Sequence, residues 1–562
     1  MIIQAGGRGV EPLAKQLATE RVLQSMQSFH QRESPALSPS PGTPGEGRGE
    51  GSTFKSQIDS VGRAYATDNR KSQILLVLLL SLPALAADFP QWGRDNSRNM
   101  VSPETNLPDT FDPGKPDPEG KLDPRQMKNV KWAVRLGSYT YGNPVAAAGR
   151  VFVGTNNDPP RDDRFKDDYA ILFCLDEKTG NKLWQLSIPK LEAGKVSDYD
   201  ATGLCSSPTV DGDRAYLVTN RCEVICIDVA GQSNGNDGPF TDEAQYQAGR
   251  KNSPIALQKT DGDIIWRYDL RDELGVFPLH MTSSSVLVVG DKLYVTTSNG
   301  RDWTALHTPS PNTPALICLD KKTGKLLAQE TSGICQRTLL CNWSSPAQAQ
   351  IDGKNQIIFG AGDGFCYGFD ENLKELWRCD VNSPEQRKGK YGTPSGPSEI
   401  IATPVVYKNR VYISVGQNPE QGEGAGSLVC INTSEAGPDS PTRMVWSYSK
   451  IGRSISTVAI ANDLLFAADF DGKLHCLNPD TGEVFWTHDT EARIWGSPLV
   501  ADGKVYFGNE QGDLTILAAS KEKKLINKIN FDGAIYSTPI AANQTLFIAT
   551  DKWLYAIGGN SK

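Results

Sequence analysis

The chain has 562 residues, of which 38% are hydrophobic and 22% charged, with a formal net charge of −8. That mildly acidic balance provides no basic face for nucleic acid. The 53 glycines and 35 prolines point to many tight turns and therefore many short strands, an arrangement that all-β folds of this length often build as one domain.

In chain order, residues 1–69 read as an extension outside any core. Within it, the Pro/Gly/Ser-rich stretch 33–52 cannot bury enough apolar surface to fold. Arg70-Lys71, an apolar run from Ile74 to Leu80 continuing through Leu82 and Leu85, and Ala84-Leu85-Ala86 have the form of a secretory signal peptide over 70–86, with cleavage expected after Ala86. The apolar run is too short for a membrane span, and the mature chain is expected to have none. Because a leader belongs at the start of a chain, the natural start is expected downstream of Met1. The first cysteine is Cys174, so the lipid-anchored type of export signal is not expected. Residues 87–128 read as a further N-terminal extension.

From residue 129 to 559 one repeat dominates. Each unit starts a strand with a small polar residue, usually before proline: Asn143-Pro144, Ser207-Pro208, Ser345-Pro346, Thr403-Pro404, Ser497-Pro498 and Thr538-Pro539, with Ser284-Ser285 and Ser456-Thr457 in two units. Proline is tolerated there because the first residue of a strand need not donate to the ladder. A β-rich second strand follows, as in RVFVGTNN and KVYFGNEQG. A third strand then ends in hydrophobic-small-hydrophobic-Asp/Asn, as in LFCLD, VICID and LHCLN. A Gly-containing turn leads to a fourth strand bearing Trp184, Trp266, Trp377, Trp446 or Trp486, with Ala328 and Ile526 in that slot in two units. Four strands per unit of about 40–50 residues is the pattern of a propeller blade.

Third strands number eight, and the last unit lacks its fourth strand before the chain ends. Val130–Leu136, with Trp132 at the tryptophan position, supplies it. The expectation is therefore an all-β, eight-bladed β-propeller of four-stranded antiparallel blades, its ring closed by the N-terminal strand, which also removes two sheet edges. The Asn/Gln/Gly-rich insertion 230–259 in the second unit reads as a mobile flap.

The form Leu-Asp-x-x-Thr-Gly-x-x-x-Trp, at Leu175 to Trp184 and in near form at Leu477 to Trp486, resembles the tryptophan-docking repeat of the pyrroloquinoline-quinone (PQQ)-like propellers. That family includes quinoprotein alcohol dehydrogenases and the propeller subunit of the outer-membrane β-barrel assembly machinery. The resemblance implies the fold closely and the activity loosely. Its enzymes would require a calcium-held quinone at the ring centre, an acidic base and two adjacent cysteines beside the cofactor, and this sequence has no Cys-Cys pair.

Of the 11 cysteines, Cys174, Cys226, Cys318, Cys430 and Cys476 fall in the small slot of the third strand and read as buried small hydrophobes. Cys366 and Cys379 flank a tight turn symmetrically and are expected to face each other. Cys335 with Cys341, and Cys205 with Cys222, are further local candidates for pairing. With no CxxC or CxxCH, a thioredoxin-like pair and attached haem are not expected. Five scattered histidines give no metal-ligand spacing, and no Walker loop or G-x-S-x-G is present.

No residue is singled out as catalytic or metal-binding. Residues at the starts of the innermost strands are expected at the channel mouth: Trp343, Arg453, Arg493 and Trp495 as candidate ligand contacts, with Tyr141 and Tyr536 beside them. Long loops at 156–168, 189–203, 271–281, 299–314, 382–398 and 417–426 share that face. The expected function is a monomeric, exported, non-catalytic scaffold of the cell envelope, periplasmic or extracellular, binding a protein or polymer and carrying no cofactor. The alternatives are a PQQ- and calcium-dependent dehydrogenase or its degenerate relative, and a carbohydrate-binding or hydrolytic propeller.

Overall fold

A computed structural model describes residues 87–558 except 193–195, 352, 423 and 435–442. The expectations for residues 1–69 and for the signal peptide lie outside the described residues. The described chain forms eight four-stranded antiparallel sheets. Blades 1 to 7 begin at Val145, Thr209, Leu287, Ala347, Val405, Ala459 and Leu499, and each runs through four consecutive strands. Blade 8 has three strands from Ile540 to Ile557, and its fourth is Val130–Arg135, which pairs antiparallel with Trp553–Ile557. The ring therefore closes by joining the two ends of the described chain.

The tryptophan repeat has a physical basis in how the outer strands dock. Trp132, Trp184, Trp266, Trp446 and Trp486 each donate the indole N–H to a backbone carbonyl of the following blade, at Glu177, Val229, Lys321, Pro479 and Ser520, over 2.9–3.2 Å. The rings of Trp132, Trp266 and Trp446 lie on Gly180, Gly324 and Gly482, where φ is near +70° and a Cβ would come within 2.8 Å of the indole. Glycine is required there both by the left-handed backbone and by the ring above it. The small slot faces the same tryptophans across the sheet, as in Cys174↔Trp184, Cys226↔Trp266, Cys430↔Trp446 and Cys476↔Trp486.

Two slots differ from expectation. In blade 7 the residue opposite Ile516 is Asn527, not Ile526, because a bulge after Ile516 shifts the register. Trp377 donates to Gln356 of its own blade instead of the next, and the Arg443 guanidinium of blade 5 lies 4.8 Å above its ring.

The innermost strands of seven blades have three residues and that of blade 4 has five, and neighbouring innermost strands pack side by side around the axis. Their small polar lead-ins are bonded from blade to blade. The N–H groups of Ser285, Thr403, Thr457, Ser497 and Thr538 donate to Ser345, Thr457, Ser497, Thr538 and Asn143 respectively, each a side-chain oxygen of the adjacent blade. The Ser207 hydroxyl donates to the Asn143 carbonyl, and Ser284 N–H to the Ser206 hydroxyl. The hydroxyl-or-amide choice at these positions is therefore an inter-blade bond and not merely strand-start chemistry.

Residues 87–104 are a strap across one end of the channel. The strap bonds to the second residue of the innermost strand in every blade. Phe89 exchanges both backbone bonds with Ala146, Pro90 accepts from Val210, Asn96 accepts from Gln348, and Ser97 accepts from Val406. The Asn96 amide donates to Val288, and the Asn99 side chain both donates to and accepts from Ile460. Met100 and Ser102 bracket Val500, and the Ser102 hydroxyl donates to Ala541. Gly93 turns so tightly that a Cβ there would meet the Arg98 backbone at 2.4 Å. Arg98 has 0% exposure and donates to the carbonyls of Trp92, Val286 and Pro346 at 2.9–3.0 Å and to the Gln91 side chain. A guanidinium is suited to this hub because its five donors spread in a plane.

The insertion in blade 2 is docked and is not a flap. A short helix, Glu243–Ala248, buries Glu243, Gln247 and Ala248 against blade 1, where the Gln247 side chain accepts from Ser187 N–H. Asp261 bridges to Gln185 in parallel, so the insertion covers the outer edge of blade 1. Arg164 fastens it by pairing with Asp162 and Asp261 at 2.7 Å.

Replacing Arg98 by Met leaves several buried carbonyls without donors and is expected to destabilise the protein by about 3 kcal/mol. Arg94→Met, where the side chain is partly exposed, is expected to cost under about 1 kcal/mol. Urea unfolding of the two variants measures the contrast.

Candidate functional site

The strap turns the channel into a cup open on one face. Its floor is Trp92, whose indole N–H donates to the Thr403 hydroxyl at 3.0 Å. The ring of lead-in side chains forms the wall, and the cavity measures about 490 Å³. Two aromatic groups stand at the mouth. In one, Tyr141 and Tyr536 lie 5.0 Å apart, and Trp495 packs edge-on to Phe470 at 4.9 Å. In the other, Tyr199 stacks on His280 at 4.7 Å, with Trp343 at 6.3 Å from His280.

The polar groups at the mouth are few. Arg493 is exposed and its guanidinium lies 5.2 Å over Phe470. Glu420 accepts from the Tyr199 hydroxyl at 3.0 Å and lies 3.8 Å from His280 Nδ1. Burial lowers the His280 pKa from its ordinary value, against the opposing pull of Glu420, so the imidazole is neutral at pH 7. Burial also raises the Tyr141 and Tyr199 phenols well above the ordinary range. The cup therefore offers neutral hydroxyls and aromatic faces in depth, with one cation and one carboxylate at its rim.

Of the residues expected at the mouth, Trp343, Arg493, Trp495, Tyr141 and Tyr536 line the cavity. Arg453 does not. It is 1% exposed, and its guanidinium donates to the carbonyls of Thr393, Gln421 and Gly422 and to the Gln417 side chain, so it fastens the 417–426 loop. Trp92, Tyr199, His280, Phe470 and Glu420 also shape the cup. Tyr199, His280 and Glu420 lie in long loops that the sequence singles out, whereas Trp92 lies in a stretch with no periodicity.

The long loops of this face divide into braced and presented segments. The charged 156–168 loop is used internally, through Arg164 and through Asn157, whose amide donates to Phe165 and Asp167 carbonyls. In the 299–314 loop, Arg301 donates to the carbonyls of Thr338 and Ala305 and fixes the base. Its tip leaves Trp303 75% and Leu306 71% exposed.

All 11 cysteines are buried free thiols. Cys366 and Cys379 are direct cross-strand neighbours, as expected from their spacing. On the opposite face, a carboxylate oxygen from each of Asp228, Asp237 and Asp263 lies within 4.8 Å of the others. Arg214 pairs with Asp228 at 2.8 Å, and the Gln232 amide and the Asp237 N–H donate to Asp263. Sequence reasoning missed this cluster because the insertion carries Asp237 itself and separates Asp228 from Asp263.

These blades, docked by Trp on Thr-Gly turns and closed end to end, define a PQQ-like repeat propeller. The family model described as outer membrane protein assembly factor BamB matches residues 231–488 and 443–559. The chain belongs to this family. No curated protein sequence matches it. Among solved structures it is similar to BamB from Moraxella catarrhalis, at 16% identity and TM-score 0.48 over 77% of this chain and 98% of that one. It is similar to quinohemoprotein alcohol dehydrogenase from Comamonas testosteroni at 12% identity and TM-score 0.45, over 84% and 81% of the two chains. The computationally designed Ika8 protein shows 10% identity and TM-score 0.45 over 76% and 99%. At these identities and scores the three structures do not bear on what this chain does.

Burial, followed by the charges of Glu243, Asp228 and Asp237, raises the Asp263 pKa to about 7. An unfolded aspartate titrates near about 3.9. Folding therefore takes up a proton between those values, and the corresponding stability is present below about pH 4 and lost as pH rises through about 7. Asp263→Asn is expected to stabilise the protein by about 1–2 kcal/mol at pH 8 and to be near neutral at pH 4, as measured by denaturant unfolding at both values.

Proposed function

We propose that the protein is a non-catalytic scaffold of the cell envelope that binds a protein partner on the face carrying the cup. The observation that carries this reading is the 299–314 loop, where Arg301 holds the base and Trp303 and Leu306 are presented to solvent. Large exposed apolar side chains on a rigid support are typical of protein contact centres, where tryptophan is enriched. The aromatic mouth of the cup extends the same surface. Membership in a family described as an outer membrane protein assembly factor supports an envelope role. No helix among the described residues is long and apolar enough to cross a membrane.

The donor set at the cup does not suit a calcium-held quinone. A tricarboxylate quinone calls for several cationic or amide partners, and calcium for six to eight oxygens including carboxylates. The lining offers one arginine, Arg493, two amides, Asn143 and Asn418, and one carboxylate, Glu420, which is already engaged by Tyr199. Trp92 and the strap close the far end.

Affinity capture from envelope extracts tests the reading. The wild-type protein is expected to retain a stoichiometric partner whose recovery falls at least about tenfold with Trp303→Ala/Leu306→Ala. Unchanged capture by the double variant overturns it. So does a rise in Tm of several degrees with a bound-quinone absorbance band on adding PQQ and calcium.

A further inference from the structure

The strap ends at a carboxylate placed to receive a positive charge. Glu104 is 3% exposed and accepts three backbone N–H groups, from Ala87 at 2.7 Å, Gln544 at 2.8 Å and Asn543 at 3.1 Å. Among the described residues no lysine, arginine or histidine forms an ion pair with it. Lys131 interacts with it electrostatically, but its ammonium donates to the Gln544 carbonyl and the Thr545 hydroxyl instead. The other charges around this corner are Asp88, Glu177, Asp502 and Lys504, and the Lys504 ammonium is paired with Asp502 at 3.0 Å. Asp88 bonds Ala148 N–H and the Asn543 amide, and Asp502 N–H donates to the Glu104 carbonyl. The corner thus carries an excess of negative charge, and a carboxylate buried without a counter-ion is costly.

Ala87 is half-buried, and it is the residue that follows the Ala84-Leu85-Ala86 pattern. Its carbonyl is held by Asn543 N–H, and Phe89 two residues on is locked to Ala146, so the position of Ala87 N is set from both sides. We propose that Glu104 is the receptor for a free α-ammonium group at Ala87, and that the Ala86–Ala87 peptide bond is the site of processing. This rests on the export half of the functional reading and not on partner binding. A processing peptidase adds water across that amide, leaving a carboxylate on Ala86 and an ammonium on Ala87. The new charge meets Glu104 at the same N···O contact, converting a neutral N–H donor into an ion pair with charge-assisted bonds. Because Glu104 also holds the Asn543–Gln544 turn of blade 8, removal of the leader ties the strap to the blade that closes the ring.

The test compares two purified chains, one beginning at Ala87 and one with Gly-Ser before Ala87, each with Glu104 and with Glu104→Gln. Glutamine retains one acceptor oxygen, for either the Gln544 N–H or the Asn543 and Ala87 N–H groups, and the cost of losing the other is common to the two chains and cancels in their difference. With Glu104, the Ala87-start form is expected to melt at least about 2 °C higher at pH 6.5. A free α-amino group titrates near about 7.7–8.0, and pairing raises that value. The advantage is therefore fully present below about pH 7.7 and is lost as pH rises through the raised value. Glu104→Gln is expected to abolish the difference at every pH. N-terminal sequencing of the exported protein is expected to begin at Ala87. No difference between the two forms, a difference that survives Glu104→Gln, or another N-terminal residue overturns the proposal, and none of these measurements depends on whether a partner binds.

Discussion

The structure depends on how the inner edges of the sheets are satisfied at the axis. Each blade presents there a strand of only three to five residues whose far side has no sheet neighbour, so its backbone groups need partners from elsewhere. The strap supplies them one blade at a time, always at the second residue of the strand. The lead-in hydroxyls and amides supply the remainder by bonding around the ring. A single extended segment is thus a hub for eight otherwise independent sheets. Its central side chain is an arginine because no other residue offers as many donors in one plane. The outer circumference is held separately by the tryptophans docked on the next blade.

That division explains how much was legible in the sequence. Every feature that recurs once per blade could be read: the lead-in residue, the small slot, the Thr-Gly turn, the tryptophan and the completion of blade 8 by Trp132. The strap could not, because it touches eight blades through seven residues of five kinds at irregular spacing and therefore has no period. Only its density of hydrogen-bonding groups, from Gln91 to Ser102, marks it. The blade 7 slot was misplaced by one residue because a bulge is invisible to residue counting. The insertion in blade 2 looked mobile by composition, yet Gln247, Tyr246 and Asp261 are each bonded to a specific partner. Polar composition did not distinguish a solvated loop from a docked one.

For the site, the sequence placed aromatics at the mouth but could not separate lining residues from bracing ones. Arg453 and Arg493 occupy comparable places in their blades, yet one is spent on carbonyls of the 417–426 loop and the other is exposed. The difference lies in loop length: Arg453 follows blade 5, which carries the long 417–426 loop, whereas Arg493 follows blade 6, whose second and third strands are joined by the short turn 469–472. The strap also determines what the cup can be, since Trp92 limits its depth and leaves access from one face. A propeller closed in this way presents a rim and a set of loops, which suits recognition of a surface better than passage through a channel.

The central claim is that residues 87–104 hold the innermost strands of all eight blades together. Hydrogen exchange on a chain lacking residues 87–104, compared with one beginning at Ala87, tests it most directly. The amides of Ala146, Val210, Gln348, Val406, Ile460 and Val500 are expected to lose protection together, in blades far apart in sequence. Protection that is unchanged, or lost only in blades 1 and 8 next to the chain ends, would contradict it.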